Sequence, residues 1–259
     1  MAHDDSSTFD LTGKTAVVTG GGSGVGSALC RRLSDRGALV FVADVDVEGA
    51  DRVATDVGGV PLTLDVRARA DWDSALSTVV EQSGSLDVLA LNAGVMTRPK
   101  GAPMGDDPIP WMQERYDHIR AVNVDGVAHG VLAALGYLER TGGRIVVTAS
   151  VAGLMPQEPD PAYSMSKHAV IGLVRSLGAP LAERGVYIGA VCPGGVDTPL
   201  VPPDLRTGRS FAPPDHVAAH LVDVLDMSLS ESGGIWISYG TEQALWRYDF
   251  APVREGPST

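Results

Sequence analysis

The stretch KTAVVTGGGSGVGSALCRRLSDRG, residues 14–37, decides the fold. Thr15 to Thr19 is a short β-favouring apolar run that leads straight into Gly20-Gly21-Gly22-Ser23-Gly24-Val25-Gly26, and apolar residues at helical spacing follow. The order is buried strand, tight glycine turn, helix. Glycines let the backbone turn sharply and bring its amides close to a pyrophosphate at the helix N-terminus. On this reading Gly20, Ser23, Gly24, Val25 and Gly26 line a dinucleotide. The spacing is T-G-x-x-x-G-x-G and not G-x-G-x-x-G. A glycine-rich turn that holds no nucleotide is the other reading of these residues alone.

The same alternation continues outward. Apolar runs at 38–43 (ALVFVA), 60–64 (VPLTL), 86–91 (LDVLAL), 144–150 (RIVVTAS) and 186–191 (VYIGAV) read as buried parallel strands, with helical patterns between them. A last run, GGIWIS at 233–238, reads as an edge strand after a helix that starts at Pro213 or Pro214. The expectation is an α/β protein: a three-layer, doubly wound Rossmann fold with a seven-stranded parallel sheet. A flexible tail is expected over residues 1–10 and a single domain over 11–259, with a substrate loop at about 195–213 and a C-terminal tail at about 241–259. The connection from Val95 to Pro110 is long and irregular, and no run approaches the length of a membrane span.

Composition narrows the partners. The chain has 259 residues, 44% hydrophobic and 20% charged, enough for one sizeable core. Thirty-two acidic against 20 basic residues give a net charge of -12, which disfavours nucleic acid and anionic membranes. Cys30 and Cys192 lack the spacing of a disulfide framework or metal site, and His118, His129, His216 and His220 form no ligand pattern. The opening MAHDDSSTFDLTG lacks the apolar core of a secretory signal. A reduced, cytoplasmic, metal-free protein is expected.

Asp44 ends the second strand about 20 residues beyond the glycines, where a carboxylate can accept hydrogen bonds from adenosine ribose hydroxyls and repel a 2′-phosphate. No basic residue stands at Ser23 or at Val45, so NAD(H) is favoured over NADP(H). Capping of the next helix is the competing role for Asp44. Asp65 and Val66 close the third strand and Asn92, Ala93 and Gly94 the fourth, at the sheet edge where open α/β folds bind ligands. Each pair or triplet alone also reads as an ordinary loop former.

Tyr163 and Lys167 lie four apart in PAYSMSKHAVIGLVRSL, so one helix face carries both. A phenol with a pKa near 10 is a poor acid or base at neutral pH, and a fixed ammonium beside it lowers that value. Tyr163 can then exchange a proton with an alcohol or carbonyl oxygen, while Ser150, at the end of its strand, hydrogen-bonds that oxygen. A chance pairing worth about half a kcal/mol is the bland alternative for two residues at this spacing.

With these residues in hand, the chain resembles the short-chain dehydrogenase/reductase family from about Leu11 to Ile237. The resemblance rests on TGGGSGVG, the NAG at 92–94, Asn123, Ser150, YSMSK at 163–167 and PGGVDTP at 193–199. It implies that Asn123 completes a catalytic tetrad by positioning a relay water. It also implies that Lys167 holds the nicotinamide ribose, that Pro193, Gly194 and Val196 flank the nicotinamide, and that Thr198 binds its carboxamide or the diphosphate. A homotetramer, or a dimer, through helices at about 111–139 and 161–184 is implied as well. The stretch after Thr198 is short and proline-rich and departs from the two-helix lid of many members. Either the site stays open, or the tail with Trp246, Tyr248 and Phe250 covers it, or those aromatics pack the tail onto the sheet.

The resulting expectation is NAD-linked interconversion of a secondary alcohol and a ketone. Ala152, Met155, Pro156, Gln157, Gly195 and Val201 would line a mostly apolar substrate pocket together with Ser150 and Tyr163. A non-catalytic NAD-binding regulator on the same fold is the alternative. A nucleotide-sugar epimerase also uses a Tyr/Lys pair, but the chain has no room for the extra sugar domain of such enzymes.

Overall fold

The computed structural model describes residues 8–105, 107–208, 210–241 and 244–251. Most of the tail expected over residues 1–10, and the end of the C-terminal tail beyond residue 251, lie outside the described residues. Strands β1 (Thr15–Thr19), β2 (Leu39–Asp44), β3 (Val60–Thr63), β4 (Val88–Leu91), β5 (Arg144–Thr148), β6 (Tyr187–Pro193) and β7 (Gly234–Ser238) pair in parallel in the order β3-β2-β1-β4-β5-β6-β7. Seven parallel strands were expected, and seven are present among the described residues.

An eighth strand corrects that expectation. Trp246–Arg247 (β8) pairs antiparallel with β7, Trp236 against Arg247 and Ile237 against Trp246. GGIWIS is therefore not the edge. Two residues carry no periodicity, so a strand of this length leaves no pattern to read.

Consecutive strand residues feed opposite cores, as a two-residue period requires. Val17, Leu89, Ile145 and Val147 belong to one buried cluster. Helices α3 (Arg69–Ser83), α5 (Gly126–Thr141) and α6 (Pro161–Ala182) cover it with Trp72, Leu76, Val131, Leu138, Ile171 and Val174. Ala16, Val18, Val88 and Val146 belong to the other, under α1 (Gly24–Asp35), α2 (Val47–Val57) and α7 (Pro214–Leu225). Burial on both faces explains why the strands read as continuous apolar runs.

α4 (Ile109–Arg120), a π-helical turn at Ala121–Asp125 and α5 make one helix, Ile109–Thr141, long and apolar enough to meet the length and composition of a membrane span. That corrects the expectation that no run approaches such a length. Scattered charges interrupt the run in the sequence, while the fold buries Val127, Val131, Ala134 and Leu138 against the sheet.

Strand order reverses between β1 and β4, which opens a crevice at their carboxyl ends. The glycine turn and the segment Asn92–Gly94 both sit there.

Candidate active site

The glycine turn is a tight cradle. A Cβ on Gly26 would lie 2.1 Å from the carbonyl oxygen of Gly20 and 2.7 Å from Asn92 Nδ2, so no larger residue fits without moving the backbone. Gly20 has φ +64° and would meet the Ala93 backbone at 3.0 Å, which selects glycine twice over. Asn92 locks this region from below: Nδ2 donates to the Thr19 carbonyl at 3.1 Å, and Oδ1 accepts from Thr148 Oγ1 at 3.0 Å. Ser23 is the N-cap of α1 in extended conformation, and the α1 N-terminus, with Val25 in its first turn, opens onto the crevice. These residues fit a dinucleotide phosphate, because the cradle leaves space only for backbone and an anion beside it.

Asp44 is not the cap of α2. That role falls to Asp46, whose carboxylate accepts Gly49 N at 3.1 Å. Asp44 instead accepts Gly22 N and Asp46 N, both at 3.0 Å, and so ties the glycine turn to the end of β2. Val45 beside it is exposed. Arg52, on α2, donates to the Gly22 carbonyl at 3.2 Å, a basic residue at this rim that the sequence did not single out. Asp65 is held by Arg67 through bonds of 2.9 and 2.6 Å, and that guanidinium keeps its carboxyl below the usual carboxylate range. Val66 is buried in the core, where it packs against α5 at Gly126.

The end of β5 and the first turns of α6 bring the candidate catalytic groups together. Pro161 starts α6 with its φ preset, and Asp160 caps it by accepting Tyr163 N at 3.1 Å. Ser150 is buried, and its Oγ accepts Ala152 N at 3.1 Å. Lys167 is buried as well, and Nζ donates to the Thr148 carbonyl at 2.9 Å. The Lys167 ammonium sits 5.7 Å from the centre of the half-buried Tyr163 ring. A Cβ on Gly94 would lie 3.5 Å from Lys167 Nζ and 3.6 Å from Asn123 Oδ1, which sets β4, α6 and the π-turn around one point.

Burial governs ionisation here. It pushes the Tyr163 phenol up to about 12, against the Ser150 hydroxyl, which works to lower it. It pulls the Lys167 ammonium down to about 8. The expectation that Lys167 lowers the Tyr163 pKa is therefore not met: the ammonium is engaged with the Thr148 carbonyl, and desolvation of the phenol outweighs it.

Asn123 is completely buried in the π-turn. Its Oδ1 accepts Val95 N at 2.9 Å, while Nδ2 donates to the Val95 carbonyl at 2.9 Å and to Ser166 Oγ at 3.0 Å. The side chain thus serves the chain beyond β4 and the helix of Tyr163, with no bond to its own helix.

Pro193 ends β6, Gly194 N still donates to the Ser238 carbonyl at 2.9 Å, and Gly195 and Val196 are clipped to the return of the loop by Ala212 N donating to the Gly195 carbonyl and a bridge between Val196 and Ala212. Phe211 lies against Gly195, and Tyr239 against Gly194. Thr198 touches the α1 N-terminus, where a Cβ on Gly24 would lie 3.2 Å from Thr198 Cγ2. The loop does not stand away from the body: Asp204 accepts Met104 N at 2.9 Å, joining it to the long connection after β4. Among the expected substrate-lining residues, Met155 is exposed, Gln157 and Val201 are half-buried and Ala152 is buried with both backbone groups engaged. Tyr248 and Phe250 pack onto the sheet, with Tyr248 N donating to Ile235 O at 2.7 Å and Arg175 over Phe250. They lie by the start of β7, away from the strand ends that carry Ser150.

The profile of the short chain dehydrogenase family matches residues 14–207. The chain belongs to the short-chain dehydrogenase family. It is 32% identical over 237 residues to the Arabidopsis thaliana short-chain dehydrogenase reductase ATA1, which covers 91% of this chain and 82% of the relative. It is 36% identical over 192 residues to a Pseudomonas putida cis-2,3-dihydrobiphenyl-2,3-diol dehydrogenase, covering 73% of this chain and 68% of that one. Among solved structures it superposes on a 3-ketoacyl-(acyl-carrier-protein) reductase from Brucella melitensis complexed with NADH, with a TM-score of 0.78 and 27% identity over 90% of this chain and all of the other.

Short-chain dehydrogenases bind a nicotinamide dinucleotide, and the glycine cradle has the geometry to fit one. The matched span includes Asn123, Ser150, Tyr163 and Lys167 but stops before α7, β7 and β8. Reasoning from sequence missed Thr97, Asp160, Phe211 and Tyr239. Asp160 had a legible signal, an aspartate immediately before a proline at a helix start; the others are in place only through long-range contacts.

Proposed function

We propose that this short-chain dehydrogenase interconverts a secondary alcohol and a ketone, with NAD(H) as its cofactor. The observation that carries the reading is the meeting of Ser150, Tyr163 and Lys167 beside Gly94, on the strand edge that also carries the glycine cradle. NAD(H) is supported by the Asp44 carboxylate at the end of β2 and by the NADH complex of the Brucella melitensis relative. Gly20, Gly24 and Gly26 would cradle the diphosphate, and Lys167 and Thr198 would meet the nicotinamide half.

A nicotinamide held there would supply the hydride acceptor for the alcohol carbon, or the hydride donor for the ketone carbon. The chain's own residues handle the proton. In reduction the Tyr163 phenol donates its proton to the carbonyl oxygen as that oxygen gains charge, and the Ser150 hydroxyl donates a hydrogen bond to the same oxygen. In oxidation the phenolate takes the proton from the hydroxyl. Because burial holds Tyr163 protonated up to about 12, reduction finds the side chain ready at neutral pH and oxidation speeds up as pH rises. The exposed Leu132 and Tyr116 support a homo-oligomer joined through the long helix.

The test is absorbance of NADH and NADPH with a panel of secondary alcohols and ketones, on wild type and on Tyr163→Phe. Turnover with NAD(H) in preference to NADP(H), lost by about 10²- to 10⁴-fold in Tyr163→Phe while NADH fluorescence still reports binding, is the expected result. Activity surviving in Tyr163→Phe overturns the role of the phenol, and a preference for NADPH overturns the role of Asp44.

A further inference from the structure

Asp160, the cap of α6, is a fully buried carboxylate that takes no part in the proton transfer itself. It accepts three hydrogen bonds: from Tyr163 N at 3.1 Å, from Thr97 N at 2.9 Å and, through a very short contact, from Thr97 Oγ1. Only the first is a helix cap. The other two come from the connection after β4, 63 positions away in the chain. A serine or asparagine caps a helix nearly as well without carrying a charge into the interior, where desolvation penalises it. The charge therefore calls for a use beyond capping. Next to Thr97, Arg98 is also buried and donates to the carbonyl of Pro159 at 2.6 Å, while its Nε and second terminal nitrogen make no hydrogen bond. Thr97 and Arg98 thus strap the β4 connection to the two residues that lead into α6.

We propose that Asp160 is a positioning residue for Tyr163: its carboxylate fastens the first turn of α6 to Thr97 and holds a negative charge at the helix start, one turn before the tyrosine. This rests on the reading of Tyr163 as the acid/base. The strap acts one turn from the phenol, on the backbone amide of Tyr163 itself, so losing it frees the helix start that sets the side chain's direction. Its charge acts separately. Asp160 disfavours the phenolate, with the Ser150 hydroxyl opposing it; the buried Cys192 thiol is pushed up to about 12 and is neutral at lower pH, Lys167 sits on the same helix, and Arg98 is the buried cation on the strap. Neutralising Asp160 removes the negative charge that disfavours the phenolate and makes the phenolate easier to form.

The experiment compares wild type, Asp160→Asn, Thr97→Val and Tyr163→Phe in alcohol oxidation with NAD, with kcat followed across pH and NADH binding followed by fluorescence. For Asp160→Asn the expected result is a rise of kcat displaced by about half a unit or more to lower pH, with a lower plateau and NADH binding within about twofold of wild type. For Thr97→Val, which keeps the charge and loses one tether, it is a kcat lower by roughly threefold or more with the pH of the rise unchanged. A cap of purely structural value would lower kcat without displacing the profile, so an undisplaced profile in Asp160→Asn overturns the charge role, and wild-type kcat in Thr97→Val overturns the strap. If Asp160→Asn does not fold, Thr97→Val decides the strap, and Asp160→Ser, which keeps a capping oxygen and removes the charge, decides the charge role by the same displacement of the profile. Full activity in Tyr163→Phe overturns the acid/base reading itself, which is a separate outcome from either of these.

Discussion

Lys167 Nζ donates to the carbonyl oxygen of Thr148 at 2.9 Å, so the buried ammonium of α6 is fastened to β5 two residues before Ser150. The lysine is therefore a structural link between helix and sheet as well as a candidate catalytic cation.

That burial has a pH signature. The folded pKa of Lys167 is about 8 against an ordinary value of 10.5. Below about 8 the side chain is charged in both states and the folded state carries the full desolvation penalty. Between the two values the unfolded chain binds more protons, so stability rises with pH, by about 1 kcal/mol per unit. Urea unfolding at about pH 7.5 and about pH 9 should give a wild-type stability that rises relative to Lys167→Met across this interval. Parallel behaviour of the two proteins would sink the assignment.

Asn123 supports three bonds from one buried amide. Asn123→Leu keeps the volume and leaves Val95 N and O without partners, which should cost about 3 kcal/mol in urea unfolding. Activity should fall with it, because Val95 follows Gly94, the residue that lies against Lys167 Nζ. A midpoint equal to wild type would mean that the amide is dispensable.

Gly26→Ala places a Cβ 2.1 Å from the Gly20 carbonyl oxygen, so the cradle has to open. NADH fluorescence should report binding weaker by about tenfold or more, as the amides leave the geometry an anion needs. Gly136→Ala is the control: it lies in α5 with open space around its Cβ position, and should stabilise the protein by about 0.5–1 kcal/mol with NADH binding intact. Equal NADH binding in both variants would remove the cradle as the binding element.

Seven of the eight strands were legible because each is a run of mostly apolar residues, buried on both faces in inner strands such as TAVVT and YIGAVCP, with β3 exposing Pro61 and Thr63 at the sheet edge. β8 was not, because two residues make no pattern and its pairing to Trp236 and Ile237 is set by where the tail returns. The choice between Asp44 and Asp46 as the cap of α2 was equally closed to sequence reading. Two aspartates two apart are alike as letters, and the direction of β2 turns one toward Gly22 and the other toward Gly49.

Ser150, Tyr163 and Lys167 could be singled out by residue type and spacing, yet their protonation could not. Burial of the phenol and the ammonium decides it, and burial is the work of β5, β6 and α6 packed together. What neighbouring letters determine is what consecutive residues can encode: alternation of strand and helix, a glycine turn after the first strand, and a tyrosine and lysine one helical turn apart. Tertiary structure alone decided that Asp160 meets Thr97, that Asn123 holds Val95, and that Tyr248 and Phe250 lie by the start of β7. Each of these joins groups far apart in the chain, where a hydrogen bond depends on position in space and leaves no period in the sequence.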